Sequence, residues 1–302
     1  MISGILYGLA AALAQSISYF FTRLFVIRRR QGVLRLLVLG HLIMAAASLA
    51  LLPTVWPAHW PAARQFAHLL AGVAVFYFLG QAGMFYALRH MDASRASPLL
   101  GLKIVILALI TVLALRQPLA PVQWVACLLA AAAAGVLSFS GGRIGRRALA
   151  GILFACLTYC LSDINITCLV GALDLGQGVF RASMLAVFLS YVACGVIGLA
   201  LWPLVRPGGG RADWLYASPF AASWLAAMIF LFACFGSVGV VLGNIVQSTR
   251  GLMTVAIGAQ VAMAGMVHLE RRLGSRDWAR RAGAAALMVL AVALFVLGGR
   301  GA

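Results

Sequence analysis

Apolar runs with short polar gaps between them fill almost the whole chain. They place ten helices at about 2–22, 33–52, 66–88, 96–115, 121–140, 148–171, 180–204, 216–240, 249–268 and 278–298. Most hold about 20 residues, the length an α-helix needs to cross the hydrocarbon core of a bilayer. The longest gap, LLPTVWPAHWPAARQ, carries the Pro and Trp suited to a membrane interface. The opening MISGILYGLAAALAQSISYFFTR lacks a basic leader and is followed by similar segments to the end, so it reads as the first span and not as a signal peptide. The fold class expected is an all-α polytopic membrane protein with no soluble domain.

The pattern repeats at half length. GILYGLAAALAQSIS (4–18) resembles GILFACLTYCLSDIN (151–165), LRQPLAPVQW (115–124) resembles LERRLGSRDW (269–278), and SRAS (94–97) resembles STRG (248–251). The matches fall in the same order, at offsets near 150. They divide the chain into residues 1–147 and 148–302, each with five spans. An odd number of spans per block makes the second half inverted relative to the first. Ten transmembrane helices as two inverted five-helix repeats are the build of many secondary transporters, whose substrate site lies near mid-membrane between the repeats.

Composition agrees, and charge adds an orientation. The 302 residues are 64% hydrophobic and 10% charged, where a soluble domain would carry about 25% charged residues. Lys and Arg number 23 against 6 Asp and Glu, a formal net charge of +17. With the N-terminus outside, one side holds 17 arginines (23, 28, 29, 30, 35, 89, 95, 143, 146, 147, 206, 211, 271, 272, 276, 280 and 281). The other holds five (64, 116, 181, 250 and 300), and Lys103 sits in a span. Cytoplasmic loops collect arginine, so both termini are expected to be extracytoplasmic. No basic domain stands outside the membrane to hold nucleic acid, so none is expected as a partner. The six cysteines lie inside apolar runs without metal-ligand spacing, and they read as small packing residues.

Two stretches resemble the drug/metabolite transporter superfamily, of the ten-helix EamA type. They are YALRHMDASRASPLLGLKIVILALITVLALRQPLAPVQWVACLLAAAAAGVLSF and its weaker copy from STRGLM to the end. The resemblance implies alternating access about a central cavity lined by spans 1, 3, 4, 6, 8 and 9. It also implies cytoplasmic termini, contrary to the arginine count. Where the family often has Glu-Pro in its fourth span, this chain has Lys103-Ile104. The family's Gly-Glu-Arg-Leu turn is Arg116-Gln117-Pro118-Leu119 here, and the second copy keeps Glu270-Arg271-Arg272-Leu273.

Lys103 in the fourth span and Asp163 in the sixth are the two charges expected deep within spans. An intramembrane charge costs on the order of 2.5–3.5 kcal/mol by insertion scales and is a functional candidate by default. Apolar substitutes would cost less, so both are assigned to substrate binding, facing one another across the central cavity. Tyr159, Asn165 and Thr167 surround Asp163 in sequence, and Ser16 is its repeat counterpart. Gln15, Ser18, Tyr19 and Thr22 follow i, i+3, i+4, i+7 along one helical face. Tyr77 and Gln81 lie four apart in the third span, and Gln260 interrupts an apolar run in the ninth. The candidate substrate-binding set is therefore Lys103, Asp163, Gln15, Ser18, Tyr19, Tyr77, Gln81, Tyr159, Asn165 and Gln260. Each also has a plainer reading. Ser18 can bond its own backbone, Tyr19 and Tyr77 can pack, His41 reads as an interhelical hydrogen-bonder, and Gly236, Gly239 and Gly243 as sites of close approach or a bend.

No catalytic constellation stands in the chain. HExxH, GxSxG and a Walker motif are absent, PGGGR (207–211) lacks the GK[ST] of a phosphate loop, and no cofactor is expected. The expectation is a secondary transporter in the cell (inner) membrane, exporting a small organic metabolite or drug as a monomer or homodimer. Protons are a candidate coupling ion, with facilitated diffusion as the alternative within transport. The rivals are a membrane assembly or lipid-handling protein that retains the fold and, more weakly, an enzyme acting on a lipid head group.

Overall fold

A computed structural model describes residues 1–29, 32–88, 90, 99–138, 145–205, 210–263 and 275–299. Among them are eleven α-helices: α1 (Ile2–Arg29), α2 (Val33–Leu51), α3 (Ala63–Leu88), α4 (Leu102–Leu113), α5 (Pro121–Ser138), α6 (Arg146–Leu173), α7 (Val179–Ala200), α8 (Arg211–Val238), α9 (Val240–Gln247), α10 (Arg250–Met263) and α11 (Ser275–Gly298). Six of them, α1, α2, α3, α6, α7 and α8, are long and apolar enough to cross a membrane. Local sequence sets several of the ends. Pro53 turns the end of α2 into a short 3-10 helix, and Pro121 opens α5 where its missing N–H costs nothing. Gly239 ends α8 at φ +77°, a left-handed conformation that glycine takes freely, and the chain re-enters the bundle at once as α9.

That re-entry corrects the expected eighth and ninth spans. The segment 240–247, expected to be partly connection, is a helix with all eight residues buried. It touches α1, α4, α6, α8 and α11, so it sits at the centre of the described bundle. A two-residue turn, Ser248–Thr249, held by i→i+3 backbone bonds, separates it from α10. The fourth span is described only in part. Its helix starts at Leu102, and part of the expected run (91–98) lies outside the described residues. Twelve residues make α4 about 18 Å long, roughly half a bilayer core. Lys103 stands in the first turn of α4.

The bundle is apolar outside and polar at selected points inside. On α1, Leu6, Leu13 and Ile17 are exposed while Gln15, Ser16 and Ser18 are buried. On α6, Leu149, Leu153, Phe154 and Leu157 face outward, and Thr158, Ser162 and Asp163 face inward. Helix α1 packs on α8, α3 on α6, α2 on α7, and α5 on α11. The α3–α6 seam is closed by Gly80, where an added Cβ would lie 2.5 Å from the Tyr159 ring. One apolar cluster, with Phe188, Phe232 and Phe235 fully buried, joins α2, α3, α6, α7 and α8. A second joins α4, α5, α9 and α11 through Ile104, Leu107, Ala126, Val246 and Phe295.

Candidate functional site

The two intramembrane charges meet. Lys103 Nζ donates to Asp163 Oδ2 at 2.8 Å, with side-chain exposures of 21% and 9%. Asn244 of α9 donates its amide N–H to the same oxygen at 2.9 Å. The Lys103 carbonyl lies within reach of the Cys160 thiol, one turn before Asp163 on α6, at 3.3 Å. Three segments, α4, α6 and α9, are thus tied by one carboxylate. Removing one partner of such a buried pair leaves an uncompensated charge at a cost of about 3–5 kcal/mol, so the cluster stands or falls together.

A second polar cluster lies one turn further along α9. Gln247, one turn beyond Asn244, donates its amide N–H to Gln15 Oε1 of α1. Arg250, at the start of α10, donates to the same Gln15 oxygen at 2.7 Å, and its guanidinium stands 5.5 Å from the centre of the Tyr19 ring. Ser16 donates to the Arg250 carbonyl at 3.0 Å, and Thr254 donates to the Ser16 hydroxyl at 3.0 Å. The arginine count puts Arg250 in an outer loop; here it stands inside the bundle against α1. Its position directly after the α9–α10 turn explains the change, because the buried α9 draws residue 250 inward.

The remaining candidates divide. Tyr159 lies 6.4 Å from Tyr77, ring to ring, and has Tyr77, Tyr19 and Arg250 as electrostatic neighbours. Tyr19 packs edge-on to Trp224 at 6.1 Å. Gln81 lies one turn beyond Tyr77 on α3 and is partly buried. Three of the ten stand apart from the charges. Ser18 donates to its own helix at the Gln15 carbonyl (2.7 Å), Asn165 bonds the Leu161 carbonyl (2.8 Å) and packs on Gly72, and Gln260 is exposed. His41 is corrected: its ring bonds the Leu37 carbonyl of its own helix at 2.7 Å and sits among Tyr77, Phe78 and Tyr191.

Asn244, Gln247 and Arg250 are absent from the sequence-read candidates, and one signal pointed to them. The polar residues of GNIVQSTR fall at 244, 247, 248, 249 and 250, and Asn244, Gln247 and Ser248 have the i, i+3, i+4 spacing of one helical face. A third charged cluster, also unassigned by sequence, lies at one end of the bundle. Asp213 is fully buried and takes Arg29 on Oδ1 at 2.6 Å and Arg35 on Oδ2 at 2.7 Å. It ties the end of α1 and the start of α2 to the start of α8, and so places those helix ends on one side.

Comparison with known proteins defines the class. Residues 2–139 match the EamA-like transporter family, a family of the drug/metabolite transporter superfamily. The match covers a little under half of the chain, and the apolar helices are those of a multi-pass membrane protein. No curated protein matches the chain. A solved structure titled "Crystal structure of protein" is similar over 99% of both chains, with a TM-score of 0.72 and 17% identity, which shows a shared fold.

Proposed function

We propose that the chain is an inner-membrane secondary transporter that moves a small organic molecule outward by alternating access. In this reading residues 1–147 and 148–302 are two inverted five-helix repeats, with α9 and α10 together forming the ninth span. The packing supports it, because exchanging the halves maps contacts onto one another. The first helix of each half packs on the third of the other, as α1 on α8 and α6 on α3. The first also meets the fourth span, as α1 with α10 and α6 with α4. Like joins like in the α2–α7 and α5–α11 pairs.

The observation that carries the transport reading is the Lys103–Asp163–Asn244 cluster, whose Asn244 lies on α9, a short buried helix between the break at Gly239 and the turn at Ser248–Thr249. Broken helices with polar groups at the break are how transporters expose backbone and charge to a substrate near mid-membrane. The assembly or lipid-handling reading draws on the same cluster, since its three members satisfy one another.

Proteoliposomes given a mixture of amino acids, nucleosides and carboxylic acids separate the two. Transport requires at least one compound to cross faster than in protein-free vesicles, and Asp163→Asn to slow it at least tenfold. If every compound crosses as in protein-free vesicles, the non-transporting reading stands. Orientation follows the arginine-rich end, which holds Arg29 and Arg35. Cysteines placed beside them are expected to resist a membrane-impermeant reagent in intact cells, and rapid labelling would reverse the assignment.

A further inference from the structure

The two cations beside α9 are balanced differently. Lys103 has a carboxylate at 2.8 Å. Arg250 has a neutral amide oxygen, that of Gln15, and the face of a tyrosine ring. Among the described residues no carboxylate pairs with it, although it is half-buried beside α1, thirteen residues into that helix. An amide and a ring face orient a guanidinium, but they leave its charge uncompensated. With Lys103, Arg250 and Asp163 taken together, the centre of the bundle carries one positive charge in excess. A protein that keeps such a charge away from water gains from an anion to set against it.

We infer that Arg250 is the anchor for an anionic substrate, and that the transported compound carries a carboxylate. This rests on the transport reading and narrows it from small organic molecules to organic anions. The planar guanidinium fork matches a carboxylate in two parallel hydrogen bonds. Gln15 and Tyr19 hold the fork in place. Tyr159, an electrostatic neighbour of Arg250, and Tyr77, 6.4 Å from it, give an apolar face with hydroxyl tips for the body of the compound. Gln247 is buried with its Oε1 unpaired, an acceptor for a hydroxyl or N–H next to the carboxylate. The Lys103–Asp163 pair is then the switch beside the anchor, and Asn244 and Gln247, one turn apart on α9, link the two.

Three probes with one body and three charges test this: phenylacetate, phenylacetamide and phenethylammonium. Their affinities are measured on the purified full-length protein by quenching of tryptophan fluorescence, with Trp224 6.1 Å from Tyr19 as a reporter. Phenylacetate is expected to bind at least tenfold more tightly than the other two. Arg250→Gln should abolish that preference, and Arg250→Lys should keep part of it with the same size-exclusion profile as the parent. Equal binding of all three, stronger binding of phenethylammonium, or an unchanged preference in Arg250→Gln overturns the anion assignment. Flux in proteoliposomes separates this from the transport reading. A cation carried equally well by parent and Arg250→Gln leaves transport standing and removes the anchor. Selective phenylacetate binding without flux keeps the anchor and removes transport.

Discussion

Two helix crossings at the centre of this protein do the same architectural work with different chemistry. Where α4 meets α6, the polar contact is an ion pair, Lys103 to Asp163, braced by Asn244. Where α10 meets α1, no carboxylate takes part: Arg250 donates to the Gln15 amide oxygen, and Thr254, Ser16 and the Arg250 carbonyl form a chain of hydrogen bonds. Both crossings stand at the start of a helix, and α9 lies between them, offering Asn244 to one and Gln247 to the other. The α1–α10 crossing shows that such a contact can be held without an ion pair. Packing therefore does not require the ion pair, which costs more to bury and makes its partners dependent on one another. That surplus is the physical reason for reading Lys103 and Asp163 as a working pair.

The comparison can be broken most forcefully by removing one charge. Asp163→Ala is expected to destabilise the protein by about 3–5 kcal/mol, because it strands an ammonium inside the bundle. A melt in detergent should shift strongly downward, and flux should fall below a tenth. Asp213→Ala should also destabilise the protein, since it removes the carboxylate that two guanidiniums share at the bundle end. It differs in being distant from both crossings, so it separates a global stability loss from a site effect.

Smaller changes sharpen the contrast. Gly80→Val drives a side chain into the Tyr159 ring and should cost about 1–3 kcal/mol, read as a lower melting midpoint. Asn244→Ala leaves the carboxylate with one donor fewer, a loss of about 1–3 kcal/mol, and should lower flux more than Ser16→Ala does. Ser16→Ala removes the two interhelical hydrogen bonds of the Ser16 hydroxyl at the α1–α10 crossing, a loss averaging about 0.6 kcal/mol each in a membrane protein. If Ser16→Ala and Asp163→Ala shift the melt equally, the two crossings are equivalent and the contrast fails.

What the sequence disclosed, and what it withheld, follows the same line. Apolar runs of about 20 residues announce spans such as α2, α6 and α7, because burial in lipid leaves no alternative to a helix. Lys103 and Asp163 stood out because a charge in such a run is rare. Segment 240–247 stayed hidden because its residues are as apolar as the helix before it. Only the φ +77° at Gly239, which a sequence marks just as a glycine, divides the two. Misplacing that boundary moved Arg250 outside, although its true neighbours lie on α1, more than 230 positions away. Asp213 was passed over for a related reason. It sits in a polar connection by sequence, and only the folding together of α1, α2 and α8 buries it.

The most direct test is a cycle of Lys103→Met, Asp163→Asn and the double variant, each reconstituted and assayed for flux of a compound the parent carries. A working pair predicts that all three lose at least nine-tenths of the flux, while the double variant melts closer to the parent than either single one. Flux restored in the double variant would contradict the account and make the ion pair a fixed strut between α4 and α6.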